Sequence, residues 1–132
     1  MINDKTFIIS DNPIKLDSSW ESFRLHSGKT LSFSGKLHVF ANKDANAVLI
    51  GHAWQVEKGK PSPKESIENM AVDEKKENVY EIEKGWCGRY ILIVGHTLFL
   101  DATGTMGCFY GDGKISNSIN VLRQVVGEAW GG

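Results

Sequence analysis

Residues 85–104 read GWCGRYILIVGHTLFLDATG, and this stretch decides the fold. Two apolar runs, 89–94 and 97–101, flank a Gly-His dipeptide, which is typical of a β-hairpin. Asp101 stands three residues before Gly104, and this spacing predicts a structural turn in which the aspartate side chain accepts backbone N–H groups. The stretch therefore predicts two antiparallel strands that end in an aspartate–glycine turn.

Three segments upstream also have the pattern of strands. Residues 6–10 form a short apolar run that ends at an Asp-Asn-Pro turn signal. Residues 30–39 alternate apolar and polar positions on either side of a Ser-Gly turn, which predicts another hairpin. Residues 47–56 are apolar on both faces, as in a strand at the centre of a sheet. Residues 20–25 fit a strand or a short helix.

One helix is predicted in the middle of the chain. Ser62 precedes Pro63 and an acidic first turn, a capping pattern that predicts a short helix through about Ala71. Residues 72–78 are dense in Asp, Glu and Lys, so we expect a solvated loop there.

The end of the chain adds a third hairpin and a last helix. The Gly-Asp-Gly sequence at 111–113 predicts a tight turn between two strands. Ser116 or Ser118 is expected to cap a helix whose apolar residues recur at helical spacing up to Ala129. This pattern predicts an α+β fold of layered antiparallel sheets with flanking helices, in a single domain over residues 1–132.

The composition argues against several function classes. The chain has 132 residues, of which 23% are charged, and a formal net charge of -1, so it lacks the basic field that nucleic-acid binding needs. Its longest apolar runs are far shorter than the ~20 residues of a membrane span, and its first residues lack a signal-peptide pattern. We therefore expect a cytoplasmic protein that binds neither nucleic acid nor membranes.

About a third of the chain, within its second half, resembles the second half of a domain from a known protein family. A glycine and an aromatic residue open one strand, a hairpin ends in Asp and Gly, and an aromatic pair precedes a serine-rich helix start. These features lie at Gly88-Arg89-Tyr90, Leu98-Phe99-Leu100, Asp101 with Gly104, Phe109-Tyr110 and Ser116-Asn117-Ser118. In this order they resemble the amino-terminal glutaminase-type domain of asparagine synthetase-like proteins, a class II glutamine amidotransferase domain of the N-terminal nucleophile hydrolases.

The resemblance implies an N-terminal nucleophile hydrolase-like fold and a thiol chemistry. Such a domain attacks glutamine with a cysteine exposed as the first residue, whose own α-amino group acts as the base. Here the sequence begins Met1-Ile2, and the Arg-Leu and Asn-Gly-Glu substrate motifs of the family are absent. The resemblance therefore implies a degenerate domain with no glutaminase activity of its own.

Cys87 and Cys108 are the thiols left as catalytic candidates. Either would need a histidine beside it as a base, such as His52 or His96. Two cysteines are too few for a disulfide framework and too isolated for a zinc site, so we expect both to be buried thiols. The histidines show no ligand spacing, and the sequence predicts neither a metal nor a cofactor.

Three hypotheses about function remain open. The first is a scaffold or interaction subunit for an asparagine synthetase-like ATP-dependent amide-forming protein, with an ATP-pyrophosphatase-type domain or a second copy of this chain as the partner. The second is a small hydrolase that uses Cys108 or Cys87. The third is a stand-alone binding protein that shares only the layered form, because a fold does not determine a function. Core packing is expected to explain most of the four tryptophans, and Trp130 is the one expected to contact a partner.

Overall fold

A computed structural model describes residues 5–71, 74–101 and 108–126. These residues form two compact units, one from residues 5–38 with 108–126, and the other from the described residues between 39 and 101. Each unit contains an antiparallel sheet and helical segments. The predicted α+β class is therefore confirmed, with two antiparallel sheets.

The elements are, in chain order, β1 (Phe7–Ser10), β2 (Glu21–Arg24), β3 (Thr30–Phe33), β4 (Val39–Ala41), β5 (Ala47–Gln55), α1 (Pro63–Glu68), α2 (Lys76–Glu83), β6 (Trp86–Val94), β7 (Thr97–Leu100), β8 (Phe109–Gly111), β9 (Lys114–Ser116) and α3 (Ile119–Val126). The first unit contains a sheet in the order β2-β3-β1-β9-β8, and the second a sheet in the order β4-β5-β6-β7.

In the first unit, hydrogen bonds join the start of the described chain to its end. The Ser116 hydroxyl donates to the Phe7 carbonyl at 2.6 Å. Asn117 accepts from the Phe7 N–H at 2.9 Å and donates to the Lys5 carbonyl at 3.0 Å. The Ser118 hydroxyl caps α3 by accepting the Val121 N–H at 3.2 Å. Of the two predicted caps, Ser116 and Ser118, the structure therefore has Ser118 at the start of the helix. These side chains fix β1 beside β9 at the point where the last helix begins.

The second unit packs both of its middle helices on one face of its sheet. Buried Ile67 of α1 and Val79 of α2 contact Leu49 and Leu92 of the two central strands in one apolar cluster. Each of these side chains is at most 4% exposed, so burial of this face is the main stabilising contribution in the unit. The predicted central strand is confirmed, since β5 lies between β4 and β6.

The predicted hairpin around Ser34-Gly35 is wrong. A turn does form, since the Leu37 N–H donates to the Ser34 carbonyl at 2.9 Å. However, β3 pairs with β1 and β2, whereas β4 pairs with β5 in the other sheet. Alternation of polar and apolar residues indicates that a segment is extended, but it carries no information about which strand will be the neighbour.

The helices between the two central strands also differ from the prediction. α1 ends at Glu68 and not near Ala71, because the Asn69 side chain donates to the Glu65 carbonyl at 2.9 Å and the chain leaves the helix there. The predicted loop over 72–78 is wrong in its last part, where α2 begins. α2 is an amphipathic helix with a small apolar side, and its charged residues form the solvated side.

The other strand predictions are confirmed. β1 lies within residues 6–10, and the segment 20–25 is a strand rather than a helix. β6 and β7 form the hairpin of the opening stretch, and β8 and β9 form the hairpin around Asp112. No helix among the residues that the structure describes is both long and apolar enough to cross a bilayer.

Candidate functional site

The structure places Asp101 against Tyr90 at the end of the β6–β7 ladder. Asp101 is only 5% exposed, and its Oδ2 accepts the Tyr90 N–H at 3.1 Å. Its own N–H donates to the Tyr90 carbonyl at 3.2 Å. If β7 continued, the backbone carbonyl opposite Tyr90 would accept the Tyr90 N–H. The side-chain carboxylate of Asp101 accepts it instead, and β7 ends there. Gly104, the predicted turn partner, lies outside the described residues.

A partly buried phenol–carboxylate pair lies next to this junction. The Tyr90 hydroxyl donates to Glu83 Oε2 at 2.7 Å, and the Tyr90 ring packs edge-on against Trp86. Burial raises the pKa of Glu83 above its usual range, although the bond from Tyr90 acts in the opposite direction. Burial, then the Glu83 hydrogen bond, then the negative charges of Glu83 and Asp101 raise the pKa of Tyr90. Tyr90 therefore stays protonated at neutral pH and holds α2 on β6.

The two thiols lie in different surroundings. Cys108 is partly buried, and this burial raises the pKa of its thiol to about 11, so it is mostly protonated at neutral pH. Cys87 is exposed, which corrects the expectation that both cysteines are buried. Side chains alternate along β6, and it is Trp86 that points to the core.

The acidic, histidine and cysteine side chains of the described residues do not cluster into a metal site. Across residues 5–71, 74–101 and 108–126, no three His, Cys, Asp or Glu side chains are close enough to hold a metal ion. A cleft of about 140 Å³ lies between the end of β1 and the β8–β9 turn, but its acids are already paired with lysines. Lys29 lies 2.6 Å from Asp11 and lowers the pKa of that carboxyl, and Lys114 lies 3.6 Å from Asp112.

The second unit has a two-stranded ribbon that extends beyond its neighbours. Within the residues that the structure describes, β4 pairs with β5 as far as Ile50, and β7 pairs with β6 from Ile91 onward. The remaining ribbon pairs 51–55 with 86–90. One of its faces carries exposed Trp54 directly opposite Cys87.

A shallow groove of about 430 Å³ runs along the outer edge of this ribbon. The groove lies between the end of β5 and the start of α1, with Trp54 on one side and Ser62 on the other. Trp54 is 55% exposed, so core packing, which was expected to explain most of the tryptophans, does not explain this one. Trp20 and Trp86 are buried as expected, whereas Trp130 lies outside the described residues.

The first unit presents exposed aromatic side chains on its edge strand β8. Phe109 is 41% and Tyr110 63% exposed, and successive residues of a strand point to opposite faces. Among the described strands, β8 has a neighbour in the sheet on the β9 side alone. Aromatic residues are enriched at protein–protein interfaces relative to the rest of the surface, so this edge is a candidate contact surface.

No family model, no curated protein and no solved structure matches this chain in the comparisons made. The resemblance to the glutaminase-type domain therefore stays a prediction from the residues quoted above.

Two features of the site escaped the reasoning from sequence. Glu83 lies at the end of a segment rich in charges, where nothing marks one carboxylate as partly buried. The available signal was the spacing of Val79 and Ile82, which gives α2 an inward face and places Glu83 beside it. Trp54 alternates with Ala53 and Gln55, so its side chain points to the opposite face of β5. Its exposure also depends on the outer half of β5 extending beyond β4, which the sequence does not indicate.

Proposed function

We propose that this chain is a catalytically inactive amidotransferase-like domain that acts as an interaction subunit for an asparagine synthetase-like, ATP-dependent amide-forming protein. Support for the family comes from the residues in the opening hairpin, the aromatic pair and the serine-rich helix start. The confirmed α+β class with antiparallel sheets is compatible with it.

The observation that carries the interaction role is the pair of exposed aromatics on β8. Phe109 and Tyr110 belong to the stretch that resembles the family, and both expose a large part of their surface. An exposed apolar side chain on a sheet edge is favourable to bury against a partner, and each aromatic ring contributes a large contact area. A partner that covers this edge would bury both rings.

The state of the thiols supports a binding role over catalysis. The thiolate is the nucleophilic form of cysteine, and the raised pKa of Cys108 keeps this form scarce at neutral pH. A thiol that stays protonated at neutral pH does not resemble the activated thiol–base pair that nucleophilic catalysis requires, and this applies to Cys108. Cys87 is accessible.

Affinity capture with the full chain as bait tests the proposal. The wild type and a Phe109→Ser/Tyr110→Ser double variant are compared in lysate of the source organism, and Tyr80→Ser serves as the control for loss of an exposed aromatic elsewhere. We expect the wild type and Tyr80→Ser to retain an ATP-pyrophosphatase-type protein, and the double variant to lose most of it. Glutamine hydrolysis by the bait alone is expected to stay at background.

Two results would contradict this function. Recovery of no ATP-pyrophosphatase-type protein by the wild type would remove the proposed partner. Glutamine-dependent ammonia release by the purified chain would remove the claim of inactivity. Equal capture by all three forms would place the contact away from β8.

A further inference from the structure

The register of β5 determines which of its backbone groups face outward. The Val56 N–H donates to the Gly85 carbonyl at 2.8 Å, and the Gly95 N–H donates to the Asn46 carbonyl at 2.7 Å. In an antiparallel ladder the hydrogen-bonded pairs alternate, so the even-numbered residues of β5 bond to β6. The odd-numbered residues therefore direct their N–H and C=O groups to the opposite side.

Beyond Ile50 that opposite side has no neighbouring strand within the described residues. β4 pairs with β5 from Val48 to Ile50 and goes no further. The N–H and C=O groups of Ala53 and Gln55 therefore point toward the groove beside the ribbon. This is an open sheet edge, a site at which another extended chain can add by backbone hydrogen bonds.

The edge lacks the features that usually prevent such pairing. Natural edge strands are protected by charged side chains, prolines or bulges. Residues 51–56 read GHAWQV, with no proline and no lysine, arginine or acid. Val56 is 57% exposed beside Trp54. The groove beside the strand is lined by two acids, Glu57 and Glu65, and two lysines, Lys60 and Lys64, and Glu57 and Lys60 pair at 2.9 Å. An edge whose neighbouring charges sum to zero does not strongly repel an identical one.

We propose that a second copy of this chain pairs with this edge around a two-fold axis, with Ala53 opposite the partner's Gln55 and Trp54 opposite the partner's Trp54. This register uses Ala53 and Gln55, whose backbone groups face away from β6. Each Ala53–Gln55 pair exchanges both N–H···O bonds, and the symmetry repeats the pair. The interface is isologous, as in most homodimers.

In this register the exposed Trp54 faces the Trp54 side chain of the second copy, so both rings can be buried. Residues opposite each other without mutual hydrogen bonds have Cα atoms about 4.5 Å apart, closer than in the bonded pairs. The two Trp54 rings would pack across the axis, and aromatic cross-strand pairs stabilise a ladder. The ribbon is short, so the buried area falls below that of standard interfaces, and we expect a weak dimer.

Disulfide capture tests the register directly. In a background with Cys87→Ser and Cys108→Ser, one protein carries His52→Cys and the other Val56→Cys. The proposed pairing puts position 52 opposite the partner's position 56 in a closely spaced pair, and the Cα separation of about 4.5 Å falls in the range for a disulfide. We expect the mixture to form a disulfide-linked dimer at least ten times faster than either protein alone, with Trp54 intact.

The single proteins are the matched controls. Position 52 lies four residues along the strand from its own symmetry mate, too far for a disulfide, so either protein alone reports only random collision. Equal rates in the mixture and in the single proteins would overturn the proposal.

Sedimentation equilibrium of the chain with its native cysteines under reducing conditions gives the second measurement. We expect concentration-dependent dimerisation of the wild type, retention of it in Trp54→Phe, and a loss of at least tenfold in association for Trp54→Lys, which places like charges opposite each other. A wild type that stays monomeric up to the highest soluble concentration would overturn the proposal. Because the ATP-pyrophosphatase-type partner is expected at β8, failure of this dimer leaves the capture experiment unaffected.

Discussion

Asp101 and Tyr90 bind each other through both backbone and side chain. The Tyr90 N–H donates to the Asp101 carboxylate, while the Asp101 N–H donates to the Tyr90 carbonyl. Both residues are at most 5% exposed. The pair ends the ladder between the two strands of the opening hairpin, at the level where the Tyr90 hydroxyl binds Glu83. One tyrosine therefore connects the sheet to α2 on one side and to the end of β7 on the other.

Replacement of Asp101 by Ala is expected to destabilise the protein by about 1–3 kcal/mol, because the buried Tyr90 N–H loses its acceptor. Asp101→Asn keeps an oxygen acceptor of the same length and should lose less. Urea denaturation of both variants measures the free energy of unfolding, with Glu68→Ala on the exposed side of α1 as the control. Equal stability of Asp101→Ala and the wild type would mean that water replaces the carboxylate without loss.

Gly88 makes a second prediction about the same ribbon. Its φ is +132°, and a Cβ there would collide with the His52 carbonyl oxygen and lie 3.1 Å from Ala53 Cα. Neither contact is with a flexible side chain, so the two strands would have to separate. We expect Gly88→Ala to lose about 3 kcal/mol or more, the sum of backbone strain and overpacking.

Gly59 provides the matched control for that substitution. It also has a positive φ, +82°, but a Cβ there would meet nothing within 4 Å. Gly59→Ala is therefore expected to lose only the conformational penalty of about 1–2 kcal/mol. The two variants are compared by thermal and urea unfolding. The close approach of the strands would be disproved if both lost the same stability.

The opening hairpin could be predicted from sequence because its information is local. The two apolar runs around Gly95 indicate strands, and the glycine between them indicates the turn. The Ser62 cap at α1 is local in the same sense, and the structure has its hydroxyl accepting the Glu65 N–H at 3.2 Å. Each of these features is set by residues within a few positions of one another.

The features that failed depend on distant residues. β3 pairs with the preceding strand β2 and, across a longer stretch of sequence, with β1, and no property of Phe33 or Ser34 specifies these neighbours. The exposure of Trp54 and Cys87 arises because β5 and β6 extend beyond β4 and β7, which is a difference in the lengths of neighbouring strands. The acceptor of the Tyr90 hydroxyl is on another element, so the buried pair could not be identified from periodicity.

The partly buried carboxyl of Glu83 should make stability depend on pH. Because its pKa is raised in the folded state, the folded protein binds this proton more tightly than the unfolded chain does. The contribution is fully present below the unfolded pKa and is lost as pH rises through the folded pKa. Glu83→Gln cannot ionise and keeps an acceptor for Tyr90. We expect its stability relative to wild type to increase as the pH rises from about 4 to 7.

Urea denaturation at a series of pH values measures this difference. Glu83 is partly exposed, so water screens the charge and we expect the gain to stay below ~1 kcal/mol. Glu68→Gln on α1 controls for removal of a surface charge. The assignment fails if the curve for Glu83→Gln runs parallel to that of the wild type across the whole range.

Thiol labelling separates the binding role from the remaining hydrolase hypothesis. Cys87 is exposed, whereas the thiol of Cys108 is partly buried and has its pKa raised to about 11. We expect iodoacetamide at pH 8 to modify Cys87 first, and Cys108 to react more than tenfold more slowly than a free cysteine, because a pKa of about 11 leaves roughly 1% or less of the thiolate at that pH. Peptide mass spectrometry over time identifies the site, and Cys87→Ser isolates the reaction of Cys108.

The labelling rate of Cys108 should rise steeply between pH 8 and pH 10, because its thiol has a pKa of about 11. Rapid, stoichiometric modification of Cys108 at neutral pH would show an activated thiolate, and the hydrolase hypothesis would then replace the binding role.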